Sequence, residues 1–288
     1  MAPPTLSIVL PAKNEANSLR KLLPALREIY SDAEILVVND GSSDETLEVA
    51  QAAGAKVVTH AYSMGNGAAV KHGARAATGE IIVFMDADGQ HDPGDIPRLL
   101  ERLFEGFDMV VGARDSTSQA SLSRRLGNSF YNRLSSWVTG HRIEDLTSGF
   151  RVVRAKRFRE FLYLLPNGFS YPTTSTMAFF RAGYLVSYVP IHANKREGKS
   201  HINLVKDGIR FFLIILKVAT LYSPLKVFTP ISFVFFMLGA GNYLYTYLLE
   251  GRFTNMSALM FITAILVFLM GLISEQIANL LYANTSQR

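Results

Sequence analysis

Asp86 and Asp88 stand one residue apart at the end of an apolar run, in the stretch "EIIVFMDADGQHDP" from Glu80 to Pro93 of a 288-residue chain. Carboxylates this close repel and raise each other's pKa unless a cation relieves them. A divalent ion does so, and Asp with the amide oxygen of Gln90 offers the hard oxygen donors that suit Mg²⁺ or Mn²⁺. Such sites keep positions open for substrate phosphates, so Asp-Ala-Asp reads as a metal-bridged diphosphate site. The plainer alternative is a solvated acidic turn, with Asp92 or Asp95 capping a helix that starts near Pro93. Cysteine chemistry is excluded, because the chain has no Cys and therefore no disulfide, thiolate nucleophile or thiolate metal site.

The elements that must position these residues alternate along the first 115 residues. "LSIVL" (Leu6–Leu10), "EILVVN" (Glu34–Asn39), "KVVTH" (Lys56–His60), "IIVFMD" (Ile81–Asp86) and "DMVVGA" (Asp108–Ala113) are nearly continuous apolar runs. Runs of this kind mark strands covered on both faces. Helical patterns at 16–29, 44–53 and 67–77 separate them, which gives an α/β fold with a doubly wound, mostly parallel sheet. Ligands of such sheets sit beyond the carboxyl ends of the strands. The polar residues there are Asn14 and Glu15, Asp40, Asp86 and Asp88, and Arg114. A dinucleotide oxidoreductase is disfavoured, since "PAKNEAN" follows the first strand in place of a G-x-G-x-x-G turn. Gly65 and Gly67 in "MGNGAAV" either approach a phosphate or make a tight turn before a helix.

Beyond Arg114 the texture changes. Residues 121–140 read as a basic amphipathic helix, 145–158 as a turn, a short strand and a helix start, 184–191 as a further strand, and 192–203 as a polar mobile loop. Residues 204–224 space Lys206, Arg210 and Lys217 among apolar side chains, as in a helix lying in a membrane interface. Two apolar runs, about 227–249 and 256–276, approach the roughly 20 residues that a membrane-crossing helix needs. The short "EGRFTN" between them makes a hairpin.

The organisation expected is a cytosolic domain over 1–200, interfacial helices over 201–224 and a transmembrane hairpin over 225–288. Basic residues from Lys195 to Lys226 precede the first span, whereas the hairpin loop has Arg252 alone, which places the large domain in the cytosol. In a prokaryote the membrane would be the inner, or plasma, membrane. The net charge of +5 reflects attraction to anionic lipid rather than to nucleic acid. Hairpins this small often pair between protomers, so a homo-oligomer is among the expected partners.

"SIVLPAKNEANSL", "ILVVNDGSSDET", "GNGAAVKHGARAATGEIIVFMDADGQHDP" and "GAR" resemble the inverting family-2 glycosyltransferases of GT-A fold. With "DLTSGFR", the "GKS" loop and the C-terminal hairpin, the chain is similar to the polyprenyl-phosphate hexose synthases of the dolichol-phosphate-mannose synthase type. The resemblance implies that Pro11, Glu15, Val38 and Asp40 hold the nucleoside of a UDP- or GDP-hexose. Lys13 stands among them where the family often has Tyr. Asp86, Ala87 and Asp88 would bracket ribose and diphosphate, with Asp88 and Gln90 as Mg²⁺ or Mn²⁺ ligands. Arg114 would line a donor or acceptor phosphate. Lys195, Arg196, Ser200 and His201 form the loop around the Gly-x-Ser core.

An alcohol acceptor needs a general base, whereas a phosphomonoester is already ionised at neutral pH. A polyprenyl phosphate acceptor therefore asks for cations instead, and Arg114, Arg124 and Arg125 meet that demand, with Ser129 one turn on. An ordinary solvated basic helix face is the bland reading of that arginine pair. Arg151 either pairs with Asp145 or a neighbouring carboxylate in a purely structural role, or is a functional residue. His91 is a turn residue or a neighbour of the metal, and Glu275 reaches the headgroups or the interfacial helix. Two rivals remain open: a non-processive transferase acting on a lipid-linked saccharide, and a membrane-tethered nucleotide-sugar binding protein without turnover. Processive synthesis is disfavoured, since the only Trp, Trp137, lies outside any Q-x-x-R-W motif.

Overall fold

The computed structural model describes residues 4–114, 122–168, 170–192, 216, 219–220 and 222–283. They fall into two compact units, Met1–Trp137 with His141–Leu204, and Val138–Gly140 with Val205–Arg288.

In the first unit the apolar runs form β1 (Leu6–Ala12), β2 (Glu34–Asn39), β3 (Lys56–Thr59), β4 (Ile81–Phe84) and β5 (Met109–Arg114). Between them run α1 (Ala16–Ile29), α2 (Thr46–Ala52), α3 (Asn66–Ala76) and α4 (Ile96–Phe104), and α5 (Leu122–Thr139) follows β5. Next come β6 (Arg151–Arg154), α6 (Ala155–Arg159), α7 (Tyr171–Arg181) and β7 (Val186–Ile191). The seven strands lie in the order β3-β2-β1-β4-β6-β5-β7. All pair in parallel except β6, which runs antiparallel between β4 and β5. The central runs lack alternation because helices cover both sheet faces: Ile8, Val9 and Leu10 of β1, and Ile82, Val83 and Phe84 of β4, are fully buried. On α1, Leu19, Leu22, Leu23 and Leu26 turn one face to that core, at the spacing of an amphipathic helix.

The strand order sets the position of the site. From β1 the chain crosses outward through α1 to β2 and β3, then returns through α3 to β4 on the other side of β1. Connections leaving β1 and β4 in opposite directions open a crevice at their carboxyl ends. The opposite end of the sheet is closed by Glu34, whose carboxylate accepts hydrogen bonds from Ser7 Oγ, Thr78 N and Lys56 Nζ.

In the second unit α8 (Pro224–Glu250) and α9 (Asn255–Ala283) form a hairpin. Gly251 ends α8 at φ +63, a conformation that suits glycine. Both helices are long and apolar enough to cross a membrane. Polar groups tie them together: Asn242 Nδ2 donates to Ser257 Oγ at 2.8 Å, and Ser232 Oγ to Ala264 O at 2.7 Å. Glu275 accepts the Leu225 N–H at 3.3 Å, so this carboxylate sits at the positive end of α8. The interfacial helices expected over 201–224 fall mostly outside the described residues, as does the 193–203 loop.

Burial works against the charged form of Glu34, but the Ser7, Thr78 and Lys56 bonds outweigh it and hold the carboxyl at about 2, below its ordinary 4.5. A depressed folded pKa gives stability that is complete above pH 4.5 and is lost as pH falls through 2. Glu34→Gln is expected to cost about 1–3 kcal/mol at pH 7. Thermal unfolding in detergent at a series of pH values should show the two proteins converging toward pH 2.

Candidate functional site

The crevice is a cleft of about 460 Å³. Pro11, Ala12, Lys13 and Glu15 line it from the end of β1, Asp40 from the end of β2, and Asp86, Ala87 and Asp88 from the end of β4. Ser63, Gly65, Asn66 and Ala69, from the turn before α3 and its first residues, complete the wall. Seven residues singled out in the sequence thus meet in one place: Pro11, Lys13, Glu15, Asp40, Asp86, Ala87 and Asp88.

The β1 and β2 ends are held together by their own loop residues. Asn14, at φ +56, accepts the Ser43 N–H at 2.8 Å and donates its own N–H to Ser42 Oγ at 3.0 Å. Thr46 Oγ1 accepts the Glu15 N–H at 3.0 Å, and Asp44 Oδ2 the Ala16 N–H at 3.2 Å, so "DGSSDET" caps α1 across the chain. Asp40 takes four donors, from His60, Ser63, Met64 and Gly65, which hold its carboxyl below the usual range against the effect of burial.

Gly65 and Gly67 serve packing against a neighbouring loop. A Cβ on Gly67 would lie 2.0 Å from Pro166 O, and one on Gly65 would lie 2.6 Å from Asn167 O. Gly67 N donates to Gly168 O at 3.1 Å and Ala68 N to Asn167 O at 2.8 Å, while Gly65 N is bonded to Asp40. These N–H groups, the ones an anion would use at a helix N-terminus, are already bonded within the chain.

At the β4–β6–β5 side, Asp86 faces the segment 145–151. Gly149 lies so close that an added Cβ would sit 2.6 Å from Asp86 Oδ2. His91 is buried, stacked on Phe150 with ring centroids 5.0 Å apart, and its Nε2 is 3.8 Å from Asp86 Oδ2. It is therefore a buried residue of the bend after the acidic tip and a neighbour of Asp86. Arg114 meets Asp145 in a two-pronged ion pair, Nε to Oδ2 at 2.8 Å and Nη2 to Oδ1 at 3.0 Å, and also reaches Thr147 Oγ1 at 2.6 Å. Asp145 is 5% exposed and also accepts the Thr147 and Ser148 N–H groups. Burial opposes its charge, but Arg114 and these donors hold its carboxyl below the ordinary range. The partner of Asp145 is thus Arg114 and not Arg151. Arg151 is fully buried and donates to the Ser148 and Pro172 carbonyls, Ser175 Oγ at 2.8 Å and Thr176 Oγ1, fastening β6 to α7.

The remaining sequence candidates are placed less closely. Val38 is wholly buried in β2, with its side chain toward α3 at Gly73, and does not line the cleft. Gln90 follows the acidic tip and donates its N–H to Asp88 Oδ1 at 3.1 Å. Arg124, Arg125 and Ser129 lie on α5; Ser129 is exposed, and the side chains of the two arginines are outside the described part. Lys195, Arg196, Ser200 and His201 are outside the described residues. Sequence reasoning missed Ser63 and Asn66, and it missed the Arg114–Asp145 pair because 31 residues separate the partners.

Among the described residues no three His, Asp or Glu side chains gather closely enough to hold a metal by themselves. The oxygen donors of Asp88, beside Asp86 on the cleft wall, suit an ion that takes most of its ligands from water and a diphosphate, as Mg²⁺ and Mn²⁺ do. Asp88 fits such an ion; Gln90, the second group that the resemblance implies, is not among the residues that line the cleft.

Residues 7–180 match the family model Glycosyl transferase family 2, and residues 223–280 match that of the GtrB C-terminal hairpin. Glycosyltransferase AglJ of Haloferax volcanii is 30% identical over 249 residues, which is 84% of this chain and 81% of that protein. The undecaprenyl-phosphate 4-deoxy-4-formamido-L-arabinose transferase of Klebsiella pneumoniae is 30% identical over 243 residues, 81% of this chain and 72% of its own. In fold, the chain is similar to the crystal structure of glucosyl-3-phosphoglycerate synthase from Mycobacterium tuberculosis with Mn²⁺ and UDP-glucose. The TM-score is 0.63 at 21% identity, over 76% of this chain and 80% of that one.

Removing one partner of a buried ion pair leaves the other charge stranded. Arg114→Leu is expected to cost about 3 kcal/mol of stability, and the double variant Arg114→Leu/Asp145→Leu to recover most of it. Denaturant unfolding of the three proteins reads this directly.

Proposed function

Since the chain belongs to glycosyl transferase family 2, we propose that this glycosyltransferase moves a single hexose, with inversion, from a UDP- or GDP-hexose to a polyprenyl phosphate such as undecaprenyl or dolichyl phosphate. The observation that carries this reading is the Arg114–Asp145 pair. A transferase with an alcohol acceptor needs a carboxylate or imidazole ready to take the acceptor's proton. Asp145, the carboxylate beside β5, is buried, paired and held below its ordinary pKa, so it is a poor base at neutral pH. A phosphomonoester needs none, because its second ionisation lies near pH 6. The Klebsiella relative's name, which specifies undecaprenyl phosphate, supports the same acceptor class.

In this reading one acceptor phosphate oxygen forms a bond to C1 of the hexose. The bond from C1 to the nucleotide diphosphate breaks, and the electron pair leaves with the diphosphate. Pro11, Lys13 and Glu15, which line the cleft, would hold the nucleoside in this reading, and the β4 tip, which also lines it, would face the diphosphate. A divalent ion held by Asp88 and Gln90 would act as a Lewis acid on the departing diphosphate. The N–H groups of Gly65, Gly67 and Ala68 are already bonded to the protein, which leaves Asn66, on the cleft wall, as the residue at the start of α3 placed toward the cleft. The hairpin anchors the chain where the lipid acceptor resides, and the basic residues before it favour a cytosolic catalytic unit.

The test uses purified protein with radiolabelled UDP- and GDP-hexoses and undecaprenyl or dolichyl phosphate. A labelled lipid that is cleaved by mild acid is expected. Chelation should abolish its formation, and Mn²⁺ or Mg²⁺ should restore it. Asp88→Ala should reduce the rate to background with the fold intact by circular dichroism. For the wild type, kcat/KM for the lipid should rise through about pH 6 with acceptor ionisation and then level off. Absence of any labelled lipid with all donor and acceptor pairs contradicts the assignment.

A further inference from the structure

Trp137, the only tryptophan of the chain, stands half exposed near the C-terminal end of α5. A solitary exposed aromatic needs no explanation. Three observations single this one out.

The first is the face it shares. Asn132 and Ser136, four residues apart, are bonded to the chain that follows the helix: Leu146 N donates to Asn132 Oδ1 at 3.1 Å, and Ile143 N to Ser136 Oγ at 3.0 Å. Arg133 and Trp137 come one position later, about 100° round the helix, and both are exposed. Just past the helix Arg142 is exposed as well, with Glu144 Oε1 3.4 Å from its Nε. An indole beside two guanidinium groups is the residue set of an interfacial helix, whose apolar part enters the headgroup layer while its cations meet lipid phosphates.

The second is what the next residue touches. Val138 belongs with the hairpin unit, and its carbonyl accepts Lys226 Nζ at 2.8 Å. Lys226 is the third residue of α8, and the N–H of Leu225 beside it is bonded to Glu275. Charged groups at this level mark where the hairpin leaves the hydrocarbon. Length agrees, because a span of 26 residues rises about 39 Å, more than the roughly 30 Å of hydrocarbon, and its first turn lies among headgroups. Trp137 is thus one residue along the chain from a group held at that level.

The third is the aromatic belt. Such belts occur at both faces of a bilayer. The far end of the hairpin has Tyr243, Tyr245, Tyr247 and Phe253, all exposed, whereas Tyr222 at the near end is buried. Trp137 supplies an exposed aromatic for the near face.

We propose that the Arg133–Trp137 face of α5 rests on the phospholipid headgroup layer. It thereby holds α5, the helix that carries Arg124 and Arg125, level with the phosphate of a membrane-held acceptor. Trp137 is a positioning residue in this role and touches no substrate. The inference rests on the polyprenyl-phosphate reading and on a hairpin that spans the bilayer.

With one tryptophan, indole emission reports from one place. The full-length chain is placed in nanodiscs of phosphatidylcholine brominated near the headgroup end of its acyl chains. Most of the emission should be lost relative to unbrominated lipid, and acrylamide in the water should remove little. Trp137→Glu should raise KM for a long-chain polyprenyl phosphate in the same nanodiscs about fivefold, with kcat and donor KM unchanged. The variant should use a short, water-soluble prenyl phosphate as well as the wild type does. Emission that acrylamide removes and bromine spares, emission that neither quencher reaches, as under a second copy of the chain, or an unchanged KM for the membrane-held acceptor would overturn the inference. Failure of a premise reads differently. Release of the chain from vesicles by alkaline carbonate would remove the spanning hairpin, and a wild type that glycosylates no prenyl phosphate would remove the acceptor reading and the positioning role with it.

Discussion

Carboxylates converging on the open end of a parallel sheet are the constraint around which this structure is organised. Asp40, Asp86, Asp88 and Asp145 lie beyond the ends of β2, β4 and β5, where taking a carboxylate out of water opposes folding unless it is bonded or paired. The chain answers in a different way at each position. Asp40 is satisfied by four internal donors, and Asp145 by a two-pronged guanidinium. Asp86 sits against Gly149, in the field of Arg114 and Arg151. Asp88 remains on the cleft wall, where a cation arriving with a diphosphate can be shared between protein and ligand.

Those answers also fix the walls. The donors to Asp40 belong to the turn before α3, so neutralising the charge and shaping the cleft are one act. The 166–168 loop closes on Gly65 and Gly67 and leads to α7, whose Tyr171 hydroxyl donates to Gly149 O at 2.9 Å beside Asp86. Arg151 pulls the Ser148 carbonyl toward the same helix. The two sides of the cleft are thus joined through packed backbone, where small residues permit approaches that any Cβ would block. Preorganisation of this kind is what a site needs when most of its work is positioning charge.

The sheet was legible because buried parallel strands are spelled as uninterrupted apolar runs, and five of them were visible before Arg114. Polar residues at their ends named most of the cleft, since the strand order leaves ligands nowhere else to bind. What escaped has a physical reason in each case. The position of β6 between β4 and β5 depends on long-range pairing that a four-residue run does not encode. The resemblance implied Val38 as a nucleoside contact, and strand alternation turns its side chain toward α3. The Gly65 and Gly67 pair was ambiguous because close approach by a phosphate and by a backbone loop demand the same residue. Arg114 and Asp145 were each noticed, but not as partners, because nothing local links an arginine at a strand end to an aspartate 31 residues on.

The central claim is the proposed one, that the acceptor arrives already ionised, in keeping with a carboxylate at the end of β5, Asp145, that is paired with Arg114 rather than free to take a proton. Offering one preparation, with saturating donor and Mn²⁺, equal amounts of a polyprenyl phosphate and the polyprenol of the same chain length tests this most directly. The account predicts that sugar is transferred to the phosphate alone. Comparable transfer to the free alcohol, lost on Asp145→Asn substitution, would contradict it.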